Sequence, residues 1–133
     1  MKGTYVLILK VVKDIKPRIG KLGRIGFKKG FYCYVGSAIG KSINLENRLK
    51  RHFKKKKKLR WHIDYLLANP NVLVDGAILF PSQKRMECFL SRKIEKRADG
   101  TIRKFGSSDC NCKGHLHYFK NRKKLLSVLN SLK

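Results

Sequence analysis

The sequence contains few acidic residues. Only 8 Asp and Glu stand against 33 Lys and Arg in 133 residues, which gives a formal net charge of +25. The sequence contains no DxD or ExK motif. This absence argues against the common nuclease designs that hold two metal ions with such motifs. An excess of positive charge opposes a compact monomer through self-repulsion and favours a polyanionic partner. We therefore expect a nucleic acid as the partner, with an anionic membrane surface as the less favoured alternative.

Long apolar segments are also missing. No run approaches the length needed to cross a membrane, and the N-terminus lacks the pattern of a signal peptide. We therefore predict a cytoplasmic protein, with no membrane partner, whose four cysteines are reduced thiols rather than disulfides. Because no repeat or low-complexity linker divides the chain, residues 1–133 are predicted to form a single domain with one modest core.

The order of the apolar patterns predicts an α+β fold. Runs of β-branched and apolar residues at 4–12, 31–36 and 72–80 are typical of strands, and 116–119 is predicted as a short strand. Helical spacing predicts helices at 44–54, 61–68, 82–97 and 123–132. This order indicates an α/β sandwich, in which helices cover a small, mainly antiparallel sheet. The glycine-punctuated section 14–30 is the place for an extra hairpin between the first two strands.

Four side chains suited to phosphate chemistry lie in the first half of the chain. Tyr5 stands near the start of the first strand, and Tyr34 lies at the end of the second, before Gly36. Arg48 and His52 are four residues apart on the predicted helix, so they share a face. A guanidinium, an imidazole and a Tyr hydroxyl together suit an anionic phosphate.

These residues resemble the motifs of the GIY-YIG nuclease family. The first motif matches Gly3-Thr4-Tyr5 and the second Tyr34-Val35-Gly36, while the family's helix residues match Arg48 and His52 and its metal-binding Glu matches Glu87. Two further stretches, 61–66 and 105–110, look like a DUF123-like archaeal and bacterial subgroup. The two Tyr motifs lie further apart than in many members, which is consistent with the inserted hairpin. The resemblance implies a three-stranded antiparallel core sheet with the site on one face.

The resemblance also implies an activity. It predicts a metal-dependent endonuclease that hydrolyses DNA phosphodiester bonds, DNA being preferred over RNA, with little sequence specificity. Glu87 would hold the metal, Mg²⁺ with Mn²⁺ as the alternative, and Arg48 would clamp the phosphate. Tyr5 would be the general base, which requires surrounding positive charge because the ordinary Tyr pKa is about 10. Tyr34 would position it, and His52 would bind the phosphate or orient the attacking water.

Two alternative functions stay open: a nucleic-acid-binding module and a zinc-stabilised structural or ribosome-associated protein. The same fold could serve as a non-catalytic module that binds DNA or RNA. For the nuclease, target selection would come from nucleic-acid structure, a partner protein or a dimer. The basic run after the helix is interpreted as a patch that follows the phosphate backbone without reading sequence, rather than as a solubilising surface. Its predicted contacts are Arg51, Lys54, Lys55, Lys56, Lys57, Lys58 and Arg60.

A cluster of cysteine and histidine near the C-terminus has the right residue types for zinc. It comprises Cys110, Cys112, His115 and His117. Their close, alternating spacing differs from the two separated ligand pairs of most zinc sites. We therefore predict a loop without zinc. The roles of His62, Asp64 and the loop 107–110 are left open between the active site and the core.

Overall fold

The chain folds as an α+β domain, as predicted. The computed structural model describes residues 2–38, 45–53 and 59–133. Within these ranges five antiparallel strands form one open sheet in the order β3-β1-β2-β5-β4. The strands are β1 (Gly3–Val11), β2 (Gly30–Ala38), β3 (Val72–Pro81), β4 (Gly100–Thr101) and β5 (Leu116–Phe119). The helices are α1 (Leu45–Phe53), α2 (His62–Leu67), α3 (Glu87–Glu95) and α4 (Arg122–Asn130).

The sheet is wider than the predicted three strands. β5 pairs with β2 from Phe31 to Tyr34, and β4 pairs with β5 at the open edge. The short strand at 116–119 was predicted, but its place in the sheet was not. β4 has only 2 residues, which is too short for an alternating pattern to show in the sequence.

The interior strand β1, which lies between β3 and β2, is buried on both faces. Tyr5, Leu7 and Leu9 face a core cluster that includes Ile63 and Leu66 of α2. Val6 and Ile8, on the other face, pack with residues of α3 and α4. Because neighbouring side chains of a strand point to opposite faces, burial on both faces explains the continuous apolar run of this segment. Tyr5 therefore lies on the face that α1 and α2 cover.

The segment between β1 and β2 forms an irregular hairpin. Two isolated bridges, Ile15 to Phe27 and Arg18 to Arg24, join its arms. The backbone N–H of Lys29 donates to the Asp14 carboxylate over 2.7 Å. The predicted hairpin is thus held by two bridges rather than by a regular pair of strands. Its side chains Ile19 and Phe27 belong to the core cluster on one face of β1.

Local hydrogen bonds set where two helices begin. α3 begins at Glu87 rather than near Ser82 as predicted, because the Ser82 hydroxyl accepts the N–H of Lys84 in a preceding turn. α4 is capped by Asn121, whose side chain accepts the N–H of Lys123 over 2.8 Å, as N-cap residues do. In the described part of the chain no helix is both long and apolar enough to cross a membrane.

Candidate active site

A cleft of about 400 Å³ opens at the end of the sheet where β1 begins and β2 ends. Tyr5 and Tyr34 reach it from the two strands and Arg48 from α1, while Glu87 reaches it from the start of α3. The structure thus brings together four residues that the sequence predicted for one site. The cleft is also lined by Ser37, Trp61 and Arg85, for which no role was predicted. His62, Ser108 and Asp109, whose place between the active site and the core the sequence left open, line it as well.

A buried hydrogen bond joins Tyr5 to His52. The Tyr5 hydroxyl lies 2.7 Å from His52 Nε2, and the two residues are only 1% and 2% exposed. Burial raises the pKa of Tyr5 well above its ordinary value, and the neighbouring Tyr34 raises it further, whereas Arg48 lowers it. Desolvation therefore outweighs the effect of Arg48 on the pKa of Tyr5, and the role of Tyr5 as a general base stays a prediction.

Gly36 makes room for the Tyr5 ring. The two residues are opposite each other in the antiparallel pair of β1 and β2. A Cβ atom at Gly36 would lie 2.3 Å from Tyr5 Cζ. The Tyr5 ring therefore crosses directly over the backbone of Gly36, and the hydroxyl reaches His52 because no side chain stands in its way. This contact gives the Tyr-Val-Gly motif a steric reason.

Trp61 supports the two arginines of α1. The guanidinium of Arg48 lies 4.0 Å from the centre of the indole ring, and that of Arg51 lies 4.4 Å from it. Stacking of this kind favours a fixed guanidinium plane. Arg48 keeps its place in the cleft, so the indole orients the group that the motif assigns to the phosphate.

Asp64 fixes α1 and the segment before α2. Its buried carboxylate accepts a hydrogen bond from the Arg51 guanidinium. It also accepts the backbone N–H groups of Arg60 and Trp61, each over 2.9 Å. The guanidinium of Arg51 is thus engaged within the protein, and its predicted contact with nucleic acid stays a prediction. Asp64, which the sequence could not place, belongs to the support of the site.

Replacing Asp64 by Asn is expected to lower the free energy of unfolding by about 1.5–3 kcal/mol near neutral pH, the contribution of hydrogen bonds to a charged group. The change also leaves the Arg51 guanidinium without its counter-charge. Burial raises the pKa of Asp64, but the hydrogen bonds from Arg51 and the two amides outweigh it and lower the pKa overall. The stabilisation is therefore present above the ordinary Asp pKa of about 3.9 and is lost as pH falls through the lower folded value.

Urea unfolding at neutral and acidic pH would measure this effect. The matched control is Asp75→Asn, which breaks the exposed ion pair with Arg122 at 3.0 Å and should cost about 0.2–1 kcal/mol. Equal losses for the two variants, or a loss at Asp64 that does not shrink in acid, would contradict the structural role of Asp64.

The carboxylate side of the cleft comes from α3 and from the loop before β5. The Glu87 Oε1 atom lies 3.6 Å from Arg85 Nη1. Burial, followed by the nearby Asp109, raises the pKa of Glu87. Asp109 belongs to the loop 105–115, which the structure describes as a series of turns without helix or strand. The Arg48 guanidinium of α1 and the carboxylates of Glu87 and Asp109 thus line the cleft from different elements, together with Arg60 and Arg85.

His62 ties this loop to α2. The N–H of Gly106 donates to His62 Nδ1 over 2.9 Å. Gly106 has a φ of +68°, and a Cβ atom there would lie 3.0 Å from the Tyr34 ring. A glycine is favoured at this position because it tolerates the left-handed backbone and the close approach of Tyr34. His62 thus positions the loop that closes the cleft.

A second, wider cleft of about 990 Å³ adjoins the first one, with which it shares Arg60, His62 and Ser108. Its cations come from distant parts of the sequence: Lys21, Arg60, Arg103, Lys104 and Lys113. No local motif could have indicated them, because only folding brings them together. The predicted contacts Lys54, Lys55, Lys56, Lys57 and Lys58 lie outside the described residues.

The structure corrects the predicted metal chemistry. Cys88, Cys110, Cys112 and His115 place their ligand atoms within 4.8 Å of one another, and among the described residues they form the one group of this kind. His117 is not part of it, because its ring is hydrogen bonded to Ser91 and Thr101. Three thiols and an imidazole favour zinc over Mg²⁺. The cofactor prediction, Mg²⁺ on Glu87 with no zinc, is therefore wrong.

In a comparison with known protein families, one family model matches almost the whole chain. A family model with the description "Domain of unknown function DUF123" matches residues 4–133. No curated protein and no solved structure matches the chain. The clefts and the cysteine cluster all lie within the matched residues.

Proposed function

The chain belongs to the DUF123 family, and we propose that it is an endonuclease of the GIY-YIG type that its motifs resemble. Its substrate would be the phosphodiester backbone of DNA, cut with little sequence specificity. The observation that carries this proposal is the buried Tyr5–His52 hydrogen bond beside the Arg48 guanidinium in one cleft. A proton acceptor and a fixed cation are the two groups that attack of water on a phosphodiester requires.

In this mechanism Tyr5 passes a proton on rather than ionising. As the water oxygen bonds to phosphorus, its proton moves to the Tyr5 oxygen, and the Tyr5 proton moves to His52 Nε2 over the 2.7 Å hydrogen bond. The bond from phosphorus to the leaving nucleoside oxygen then breaks, and that oxygen takes a proton from solvent. In this relay a Tyr with a raised pKa can accept the proton of the water, because it passes its own proton to His52 and the phenolate never accumulates.

Arg48 and Glu87 would contact different reactants in the same cleft, the phosphate and the attacking water. The Arg48 guanidinium, oriented by Trp61, would donate to the phosphate oxygens as negative charge develops on them. The Glu87 carboxylate would accept a hydrogen bond from the attacking water and so orient its lone pair toward phosphorus. Each group touches the substrate or the water in this proposal, so each is a catalytic residue.

The wider basic cleft would hold the nucleic acid on either side of the cut. Replacing Lys21, Arg103 and Lys113 together by Ala, all exposed and all in this cleft, should remove up to three phosphate contacts. We expect the slope of log K against log salt to become shallower by about 2–3, since each contact contributes about 0.9. Fluorescence anisotropy with a labelled duplex over a range of salt concentrations would measure the slope.

The control variant changes the same residue types on the other side of the protein. Lys96, Arg97 and Lys123 are exposed on and beside α3 and α4, and their replacement by Ala lowers the net charge equally. If both triple variants change the slope by the same amount, binding follows net charge and the basic cleft has no special role.

The proposed activity is tested by incubating the protein with end-labelled single-stranded, duplex and branched DNA and with RNA. Products would be separated on denaturing gels, with and without added divalent cations, and binding would be recorded in parallel. A Tyr5→Phe protein purified in the same way controls for contaminating nucleases. Cleavage by the wild type alone supports the proposal, whereas binding without cleavage of any substrate would favour the non-catalytic binding module.

A further inference from the structure

We propose that Cys88, Cys110, Cys112 and His115 bind one structural Zn²⁺ ion, which fastens the loop 105–115 to α3 and thereby holds the carboxylate wall of the active-site cleft. The four ligand atoms lie within 4.8 Å of one another. His115 Nε2 is 3.6 Å from Cys110 Sγ and 3.8 Å from Cys88 Sγ. A tetrahedral zinc ion, with Zn–S of about 2.3 Å and Zn–N of about 2.0 Å, requires neighbouring ligand atoms about 3.5–3.8 Å apart.

The donor set identifies the metal and its role. All three thiols are free of disulfide bonds, and thiolates with an imidazole favour zinc over the harder cations. Four protein ligands fill a tetrahedral shell, which is typical of structural zinc, whereas a catalytic zinc keeps a position for water. The ion would therefore stabilise the fold rather than activate the nucleophile.

The ligands join α3 to the loop at a second place, beyond the hydrogen bond from Ser91 Oγ of α3 to the Gly114 carbonyl over 3.2 Å. Cys88 lies in the first turn of α3, and the other three lie in the turns that precede β5. Within that loop, the N–H of His115 donates to the carbonyl of Phe105 over 2.7 Å, which closes its base. The hydrogen bonds from Gly106 to His62 and from Ser91 to Gly114 hold the two ends of the loop. The residues between them form no strand or helix, so a metal bridge to α3 would constrain that part.

The position of the ligands in the sequence connects the metal to the cleft. Glu87 directly precedes Cys88, and Asp109 directly precedes Cys110, so each carboxylate of the cleft is next to a zinc ligand. An ion that fixes both cysteines also fixes the backbone that carries both carboxylates. Zinc binding does not rest on the proposed nuclease activity; only this effect on the cleft does.

Metal analysis by mass spectrometry tests the binding. We expect about one zinc per chain in the wild type and in Cys33→Ala, which removes a buried thiol outside the cluster, and a large loss in Cys110→Ser. Because Cys110→Ser could fail to fold, a second measurement uses the wild type alone. Exchange with Co²⁺ should produce the thiolate charge-transfer and visible bands of a tetrahedral site. Protein that holds no zinc and gives no such bands overturns the proposal.

Hydrogen exchange tests the fastening of the loop. Removal of zinc by a chelator should lower the protection of amides in the loop 105–115 and at the start of α3, while β1 and β2 keep theirs. Unchanged protection of the loop would show that the metal does not hold it. A zinc-loaded wild type that cleaves no substrate would instead refute the proposed nuclease and leave the metal site intact.

Discussion

Replacing Tyr5 by Phe is expected to lower the rate of phosphodiester cleavage at least about 100-fold, the lower end of what a positioned proton-transfer group contributes. The change removes only the hydroxyl that meets His52 Nε2. The ring stays, so its packing over Gly36 and within the core is kept. Because Tyr5 does not supply charge to the phosphate, affinity for DNA should change little.

The control for this variant is Tyr32→Phe. Tyr32 is also buried on the sheet, and its hydroxyl donates to the carbonyl of Lys28 over 2.8 Å. The chemical change is identical, but the hydroxyl lies outside the cleft, so cleavage should be close to that of the wild type. Single-turnover rates on a labelled duplex would compare the three proteins. Equal rates for Tyr5→Phe and Tyr32→Phe would exclude the proton relay.

Replacing Glu87 by Gln is expected to lower cleavage by about 100- to 1,000-fold, the range seen when one positioned group that acts in the transition state is removed. The amide keeps the shape of the side chain but loses the charge that would orient the water. Affinity for DNA should stay the same or rise, because a negative charge leaves a cleft that also contains Arg48 and Arg85. A rate loss without an affinity loss therefore separates chemistry from binding.

Glu95→Gln is the matched control, since Glu95 ends the helix that Glu87 begins. The zinc content of each variant should be measured as well, because Glu87 adjoins Cys88. Loss of cleavage with full zinc content would assign the effect to the carboxylate. If Glu87→Gln cleaves as fast as Glu95→Gln, Glu87 has no part in catalysis and the proposed orientation of water fails.

The local features of this protein could be predicted from its amino-acid sequence. The run of β-branched and apolar residues at 4–12 predicted the strand β1, because such residues favour strands; its burial on both faces was seen only in the structure. The spacing of Arg48 and His52 placed them on one face of α1, because the helix repeat is fixed. The motif residues Tyr5 and Tyr34 then indicated one site, and the structure places both in the same cleft.

Packing between distant segments sets which groups meet and how deeply they are buried. Cys88 joins the cysteine cluster because α3 packs beside the loop, while His117 leaves it because β5 carries that ring to Ser91 and Thr101. The raised pKa of Tyr5 follows from burial, which the number of basic residues does not predict. Desolvation and ligand geometry depend on packing between segments far apart in the sequence, and local patterns carry no information about that packing.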